Sequence, residues 1–312
     1  MKLSVLDLVP VFAPADPAYA LEQAVMLAQA AERWGYSRYW VAEHHDIQGL
    51  ACTSPEVLLS HIGARTTRIR LGSGALLLPH YKPLKVAELF QMLATLYPGR
   101  IDLGIGRAPG GSAHASIALS GNFLEHVRQL PESLQTLMAL LDNRFELEGQ
   151  SVTARPVPKT PPQVWMLGTN TKSADFAAQF GTGYVFGQFM SDNDPAEVLA
   201  AYRRQFQPST ALRAPQAISA VGVICAETEA EAEAKRLMAE GSAWQKPATE
   251  AAANEPSQTT PNPNLIIGTA KQVKSQLEQL GEVCGIDEFL VVTQVPDYEK
   301  RLRSYELLAS IL

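Results

Sequence analysis

The chain has 312 residues, enough for one large domain or two ordinary ones, and its 46% hydrophobic residues can form a substantial core. The formal net charge is -6 and no basic run interleaved with aromatic residues occurs, which excludes a typical nucleic-acid-binding protein. Apolar runs are too short to span a membrane, and Asp7 comes too early for a secretory signal peptide. The three cysteines lie far apart without disulfide or zinc spacing, so we predict a cytoplasmic protein without a metal site.

Short apolar segments typical of β-strands alternate with longer amphipathic segments typical of helices along the whole chain. The predicted strands are Leu3–Leu8, Arg38–Ala42, Ile69–Leu78, Arg100–Ile105, Gln163–Leu167, Tyr184–Phe189, Ala217–Ala226 and Glu288–Thr293. The predicted helices are Pro17–Trp34, Ser54–Arg65, Pro83–Leu96, Asn122–Leu141, Lys172–Phe180, Pro195–Gln207, Thr228–Gly241, Ala270–Leu280 and Asp297–Leu312, with a small hairpin within Arg144–Pro158. Eight alternating units imply a parallel sheet, and without a break in composition they favour an α/β fold with a closed (β/α)8 TIM barrel.

This barrel is predicted to be a single domain over residues 1–312, with one insertion before the last strand. Ser242–Asn264 contains four prolines and many small or polar residues, and it interrupts the alternating pattern. A long segment without regular structure in a compact domain is typical of a lid or a disordered region, so we predict a mobile lid.

Ionisable residues are concentrated where the second predicted strand ends, at Glu43–Asp46. Consecutive residues of an extended chain point to opposite sides, so at most one of His44 and His45 faces the barrel interior. This disfavours a paired-histidine metal site, although the residues alone leave a purely structural role open. In a (β/α)8 barrel the loops after the strands carry the chemistry. The polar or small residues predicted there are Asp7, Glu43, His44, Gly74, Arg107, Thr169, Gln188 and Gln294.

Three further stretches suggest a planar ligand with an anionic group. Two glycines within Leu71–Pro79 indicate either a close approach of the backbone to a ligand or a kink at a barrel corner. The glycine-rich run Gly104–Gly111 lacks the spacing of a dinucleotide fingerprint, but Arg107 within it could pair with a phosphate or form a surface salt bridge. Small and hydroxyl residues in Leu167–Ser173 lead into a helix, where capping and phosphate binding are compatible.

Together these stretches resemble the bacterial luciferase-like flavin monooxygenases, in particular their short single-subunit members. The matching segments are spread in order over most of the chain: Val5–Asp7, Trp40–His45, Leu71–Ala75, Leu78–Pro79, Pro83–Glu88, Gly99–Arg107 and Ala177–Gly181. The resemblance implies a (β/α)8 barrel that binds FMN at the carboxyl ends of its strands.

The resemblance also assigns roles to individual residues. Gly74 and Ala75 match a strand end with a non-proline cis peptide beneath the isoalloxazine ring. The positions that match the phosphate-binding residues of the family are Arg107, Thr169, Asn170 and Ser173. His44 matches the catalytic acid/base, and the residues expected near the flavin ring or substrate are Asp7, Glu43, His45 and Gln188. Gly106 replaces the cysteine of luciferase and no acid lies near Thr169, so light emission is not expected.

The chemistry implied by the resemblance is the reaction of reduced FMN with O2 to a flavin C4a-(hydro)peroxide, which oxygenates a small organic substrate such as an aldehyde. Reduced FMN would come from a separate flavin reductase, since no NAD(P)H motif occurs. The resemblance further implies a homodimer. One alternative is an F420-dependent hydride-transfer oxidoreductase of the same fold. Another is a non-catalytic flavin-binding subunit, which the retained Glu43–His45 set disfavours.

Overall fold

Eight parallel strands close into a barrel in the computed structural model, which describes residues 1–240 and 264–312. The strands are β1 (Lys2–Asp7), β2 (Arg38–Val41), β3 (Arg70–Ser73), β4 (Leu76–Leu77), β5 (Ile101–Gly106), β6 (Glu146–Leu147), β7 (Gln150–Ser151), β8 (Gln163–Gly168), β9 (Gly183–Gly187), β10 (Ala217–Ala226), β11 (Leu265–Thr269) and β12 (Glu288–Val292). Around the barrel the order is β1, β2, β3, β5, β8, β9, β10 and β12, and β12 pairs with β1. This confirms the predicted (β/α)8 barrel.

Helices follow the strands and cover the outside of the barrel. They are α1 (Pro17–Trp34), α2 (Pro55–Gly63), α3 (Pro83–Leu96), α4 (Ala113–Ser120), α5 (Phe123–Arg128), α6 (Leu130–Leu141), α7 (Thr171–Gln179), α8 (Pro195–Gln205), α9 (Glu229–Glu240), α10 (Ala270–Cys284) and α11 (Tyr298–Ala309). The first helix shows how local sequence fixes their ends. The Asp16 side chain caps its first turn by accepting from the Tyr19 N–H, and Gly35 ends it with φ of 88°.

Alternate residues of the barrel strands form an apolar cluster without any helix residue, and this cluster fills the barrel interior. It comprises Leu6, Trp40, Ala42, Trp165, Val185, Ile218, Ala220, Leu290 and Val292. The rings of Trp40 and Trp165 meet edge to face with centroids 5.9 Å apart. The strand residues between them pack outward against the helices in a second, larger cluster. The interior is therefore a packed core beneath the carboxyl rim, by which we mean the loops that follow the strands.

Two predicted elements are divided in the structure, and two observed elements were not predicted. The predicted helix Asn122–Leu141 is two helices, α5 and α6, because Pro131 lacks the N–H that would continue the hydrogen bonds from the preceding turn. The predicted strand Ile69–Leu78 is divided into β3 and β4 at Gly74–Ala75. Strand β11 was not predicted; it pairs with β10 alone, outside the closed ring of eight strands. Helix α4 was also missed, since it buries only Ser116 and so lacks an apolar stripe.

Charged side chains close the opposite, amino end of the barrel. The buried Asp102 carboxylate accepts hydrogen bonds from Arg38 Nη1 at 2.8 Å, from Trp40 Nε1 at 3.0 Å and from the Arg70 guanidinium. Arg38 Nε also donates to Glu288 Oε1 at 2.7 Å. A buried carboxylate is tolerable only when it is paired and hydrogen-bonded, and this network meets both conditions. It keeps these charges at the end of the barrel away from the carboxyl rim.

Glu32 near the end of α1 joins this helix to the loop between α2 and β3. Its Oε2 accepts from the N–H groups of Thr67 at 2.9 Å, Arg68 at 2.6 Å and Ile69 at 2.9 Å. Partial burial acts to raise the pKa of this carboxyl, but the backbone N–H groups outweigh it and lower the pKa to about 2. The ionised carboxylate thus stabilises the folded chain.

We predict that Glu32→Gln lowers the free energy of unfolding by about 1–2 kcal/mol at pH 7, the usual value for a charge-assisted hydrogen bond. Because the folded-state pKa lies below the ordinary value of 4.5, this contribution exists above that pH and is lost as the pH falls toward 2. Urea unfolding of both proteins over this pH range measures it. Glu22→Gln is the matched control, since Glu22 lies exposed on the same helix. Equal losses in both variants would contradict the prediction.

Candidate active site

The carboxyl ends of β2, β4, β5 and β8 form one continuous arc of the rim. The Glu43 N–H, which follows β2, donates to the Ala75 carbonyl at 3.3 Å. Leu77 of β4 pairs with Gly106 of β5, and an added Cβ on Gly106 would lie 2.9 Å from the Ala75 Cβ. Beyond β5, Arg107 reaches Asn170 after β8. The structure therefore brings most of the sequence-predicted site residues together at the carboxyl ends of these neighbouring strands.

His44 lies on this arc, on the same side of its chain as the interior residues Trp40 and Ala42. Its N–H donates to the Cys52 carbonyl at 2.9 Å, which fixes the backbone. Its Nδ1 is buried and has no hydrogen-bond partner among the described residues. Burial, with a smaller contribution from His45, lowers the pKa of His44 to about 4. The ring is therefore neutral at neutral pH, and one of its two nitrogens is buried without a partner among the described residues.

Glu43 and His45 face the other way and contact each other. The Glu43 Oε1 accepts from Tyr81 Oη at 2.7 Å and lies 2.7 Å from His45 Nε2, while Oε2 accepts from the Leu77 N–H at 2.9 Å. One carboxylate thus joins the end of β2 to β4 and to the turn after it. The two residues that flank His44 in sequence are thus held by these contacts.

The residues matching a phosphate site converge at the start of α7. Asn170 caps this helix, with its Oδ1 accepting from the Ser173 N–H at 3.3 Å, and Arg107 Nη2 lies 3.5 Å from the same oxygen. Ser173 Oγ donates to the Asn170 carbonyl at 2.7 Å and lies 3.1 Å from Tyr184 Oη. A guanidinium beside a helix N-terminus, with hydroxyl groups near it, can bind an anion.

The strand end at Gly74–Ala75 lies between His44 and the anion-binding residues. Its peptide bond is cis. An added Cβ on Gly74 would lie 2.6 Å from Leu6 Cδ1 and 3.3 Å from Trp40, so the strand rests directly on the interior core here. A kink at a barrel corner, left open by the sequence, is therefore present, and it coincides with the arc of candidate residues.

The remaining predicted residues make contacts within the protein. Asp7 accepts from Arg301 Nη2 at 2.8 Å and from the Tyr39 hydroxyl, so its carboxylate joins β1 to α11. Gln188 follows β9, where its Oε1 accepts from Ser219 Oγ at 3.2 Å. The Thr169 carbonyl accepts from Ser191 Oγ at 2.7 Å. Contact of these three with a ligand stays a prediction.

Sequence reasoning did not single out Tyr81 or the role of His80. His80 is buried, with Nδ1 3.1 Å from Ser120 Oγ and Nε2 2.9 Å from the Pro109 carbonyl, and its ring stacks on Phe123 with centroids 4.9 Å apart. It thereby ties the turn after β4 to α4 and α5. Only the position of both residues just after a strand could have indicated them.

The predicted mobile lid, Ser242–Asn264, lies outside the described residues except for Asn264. The Asn264 side chain donates to the Ser191 carbonyl at 2.8 Å. In residues 1–240 and 264–312, no helix is long and apolar enough to cross a membrane. Over the same ranges, no three His, Cys, Asp or Glu side chains are grouped to hold a metal ion.

These residues fit the flavin that the resemblance implies. The arginine and helix start provide an anion site for a phosphate tail. The half-buried Ala75, next to Gly74 on the buried Leu6 and Trp40, provides an apolar floor for a flat ring. The unpaired Nδ1 of His44 supplies a polar group beside that floor. Arg107, Asn170 and Ser173 would hold the tail.

We predict that Tyr81→Phe lowers the free energy of unfolding by about 1–3 kcal/mol, because the buried Glu43 carboxylate loses a hydrogen-bond donor. Urea denaturation measures the change. Tyr19→Phe serves as the control: the Tyr19 ring is 46% exposed, and a surface change of this kind alters stability by no more than about 0.5 kcal/mol. A Tyr81→Phe protein as stable as the control would show that Glu43 does not need this donor.

Comparison with known proteins gives matches over the whole chain. A family model described as luciferase-like monooxygenase matches residues 1–300. The Bacillus subtilis protein YwcH is 41% identical, over 99% of this chain and 98% of its own. The N-acetyl-S-alkylcysteine monooxygenase of Bacillus subtilis is 35% identical, over 99% and 97%. The crystal structure of apo-MsnO8 has a TM-score of 0.86 at 37% identity, over 99% of this chain and 98% of that one.

Two solved structures of lower identity share the fold. The oxygenating constituent of 3,6-diketocamphane monooxygenase from Pseudomonas putida, in complex with FMN, has a TM-score of 0.72 at 19% identity, over 100% and 99% of the chains. An F420-dependent secondary alcohol dehydrogenase has a TM-score of 0.75 at 16% identity, over 100% and 98%. With the family model matching residues 1–300 and relatives above 30% identity over nearly the full length, this chain belongs to the luciferase-like monooxygenase family.

Proposed function

We propose that this protein is an FMN-dependent monooxygenase that uses reduced FMN and O2 to oxygenate a small organic substrate. The observation that carries the proposal is the placement of an anion site and an unpaired histidine nitrogen on one arc of the rim, with an apolar floor between them. A flat ring with a phosphate tail has the shape and charge that this arc accepts. Oxygenation follows from the family of monooxygenases to which the chain belongs.

The phosphate tail of FMN is bound at Arg107 and the start of α7. The guanidinium supplies a permanent positive charge, and the first N–H groups of the helix supply donors together with the positive end of the helix dipole. Asn170 and Ser173 hold this corner in place through the cap and the Tyr184 hydroxyl. The site therefore favours FMN over riboflavin, which lacks the phosphate.

The strand end at Gly74–Ala75 is the part of the rim that would hold the flat ring. The interior core directly below, with Leu6 and Trp40, leaves no room for water on that side. Exclusion of water is what a monooxygenase requires, because reduced flavin otherwise passes its electrons to O2 without oxygenating the substrate. The barrel thus contributes shape and dryness.

Reduced FMN, when bound, supplies the electrons that activate O2. His44 is the side chain that would accept or donate a proton during oxygenation. Without a ligand its imidazole is neutral, since burial lowers its pKa to about 4. Glu43 and the Cys52 carbonyl hold the chain around residue 44, so that the His44 imidazole keeps its position.

The proposed function is tested by cofactor binding and oxygen consumption. Purified protein is titrated with FMN and with F420, and oxygen uptake is then recorded with photoreduced FMN and a panel of aldehydes and thioethers. We include thioethers because one relative is named for N-acetyl-S-alkylcysteine. Substrate-dependent oxygen uptake with an oxygenated product supports the proposal. Binding of F420 without FMN would favour hydride transfer, and FMN binding without turnover of any substrate would favour a non-catalytic subunit.

We predict that Arg107→Ala weakens FMN binding by about 10–100-fold, the loss expected for one charge-assisted contact to phosphate. Riboflavin binding stays within about twofold in the same variant, because riboflavin makes no contact with this corner. Fluorescence titration with both flavins measures the two constants. Equally weakened binding of FMN and riboflavin would show that the phosphate is bound elsewhere.

We predict that His44→Gln reduces substrate oxygenation by about 10²–10⁴-fold, the usual contribution of an acid/base side chain. The FMN dissociation constant changes little, because the tail carries most of the affinity. Product formation and hydrogen peroxide release are measured together, since lost proton transfer diverts electrons to peroxide. If the variant kept the same turnover and the same ratio of product to hydrogen peroxide, His44 would have no part in the mechanism.

We further propose a homodimer and a separate flavin reductase. A groove of about 790 Å³ between α1 and α2 exposes Met26 and Val57, and a second copy of the chain would cover it. Light scattering of the pure protein decides this, with a monomeric mass contradicting the dimer. The need for a separate reductase is tested by adding a flavin reductase and NADH, which should increase product formation. A cytoplasmic location stays a prediction of the sequence.

A further inference from the structure

We propose that the glycine loop, residues Arg107–Ser112, transmits occupation of the phosphate site to the histidine segment, residues Glu43–Asp46, so that Gly110 and Gly111 are positioning residues for His44. The inference rests on the proposed function, since it takes the FMN phosphate as the group bound at Arg107. It gives a role to the glycine run that did not match a dinucleotide fingerprint.

The glycine loop and the histidine segment are joined by backbone contacts. The His45 N–H donates to the Gly110 carbonyl at 2.8 Å, and His45 and Gly111 form a parallel β-bridge. A side-chain contact adds to these, because Ser112 Oγ donates to Asp46 Oδ2 at 2.7 Å. On its other side the segment is held by the Cys52 carbonyl. His44 therefore lies in a short stretch of chain clamped from two sides, one of which is the glycine loop.

Gly111 is required by this close approach, whereas Gly110 is favoured by its positive φ, which orients the carbonyl that accepts from His45. An added Cβ on Gly111 would lie 2.0 Å from the His45 carbonyl oxygen and 2.9 Å from its carbon, and backbone atoms cannot turn aside. Gly110 has φ of 68°, and its added Cβ would lie 2.1 Å from Leu77 Cδ1, the flexible end of a side chain. A substituent on Gly111 must therefore displace the histidine segment, whereas one on Gly110 presses on β4.

The other end of the same loop carries the anion contact. Arg107, three residues before Gly110, has its Nη2 3.5 Å from Asn170 Oδ1, which is too long for a strong hydrogen bond. A phosphate at the start of α7 would draw this guanidinium into a charge-assisted contact and fix the first residue of the loop. The middle of the loop is already held, because the Pro109 carbonyl lies 2.9 Å from His80 Nε2.

Only Ala108 and Pro109 separate Arg107 from Gly110, and the Pro109 contact leaves this short stretch little freedom to absorb a movement of the arginine. A shift of Arg107 toward phosphate therefore changes the position of Gly110 and Gly111, and with them the His45 backbone that they contact. Tail recognition and proton transfer are then coupled: FMN, with its phosphate, orders His44, whereas riboflavin leaves it less well placed. This coupling predicts that the phosphate improves turnover as well as affinity, and that the two effects can be separated by a substitution in the loop.

The test follows the His44 imidazole by NMR of the full-length protein labelled with 15N-histidine, with the resonance assigned by its loss in His44→Gln. Inorganic phosphate, riboflavin and FMN are the probes. In the wild type we expect phosphate to shift the His44 resonances, and we expect a higher kcat with reduced FMN than with reduced riboflavin. In Gly111→Ala we expect phosphate still to bind, but the shift and the kcat advantage to be lost.

Gly110→Ala and Gly99→Ala form a matched pair in case Gly111→Ala does not fold. Both positions have positive φ, 68° and 76°, but an added Cβ on Gly99 meets no atom within 4 Å. Loss of the phosphate response in Gly110→Ala, with its retention in Gly99→Ala, supports the coupling. Retention of the response in Gly111→Ala, or in Gly110→Ala when Gly111→Ala does not fold, would overturn it and assign the response to charge acting through space.

The remaining outcomes are also decisive. Phosphate that binds to the wild type without shifting the His44 resonances overturns the coupling and leaves the proposed function intact. Failure of both phosphate and FMN to bind overturns the proposed function, and the coupling with it.

Discussion

Closure of the parallel barrel is the constraint on which the rest of this structure depends. The barrel is closed because β1 pairs with both β2 and β12, and β9 pairs with β10. Since these pairings are parallel, every barrel strand runs in the same direction and every carboxyl end lies at one rim. The ends of β2, β4, β5 and β8 are neighbours on this rim, although His44 and Asn170, which follow the first and last of them, lie 126 positions apart in sequence. The phosphate corner and the histidine meet only through this closure.

The polar groups at the two ends of the barrel differ in their hydrogen bonding. At the amino end, Asp102 has a guanidinium on two sides and an indole N–H, so its charge is fully paired. At the carboxyl end, His44 keeps one buried nitrogen without a partner in the described chain. The Trp165 indole N–H in the barrel interior is also buried without a described partner, so a missing partner does not mark a site by itself. His44 differs from Trp165 in its place at the carboxyl rim, where the loops of this fold carry the chemistry.

The Glu43 carboxylate connects the two kinds of role. It is buried and ionisable, which is typical of a catalytic group, yet its oxygens are occupied by Tyr81, His45 and the Leu77 N–H. A carboxylate with these contacts has little capacity left for a substrate. Its effect on chemistry is therefore geometric: together with the glycine loop and the Cys52 carbonyl, it fixes the segment in which His44 lies.

Sequence alone determined the architecture and the chemical character of the site. Alternation of short apolar and longer amphipathic segments predicted the barrel, since hydrophobic period is a local property that each strand and helix carries in its own residues. The places of His44 and Arg107 at strand ends were predicted for the same reason, whereas Asn170 was predicted from the helix start and from the family resemblance. The contacts that link them were decided only by tertiary structure. Tyr81 meets Glu43 and Gly111 meets His45 across 38 and 66 residues of chain. Such contacts depend on barrel closure, which no local pattern encodes. The contacts of the glycine run could therefore be recognised only in the tertiary structure.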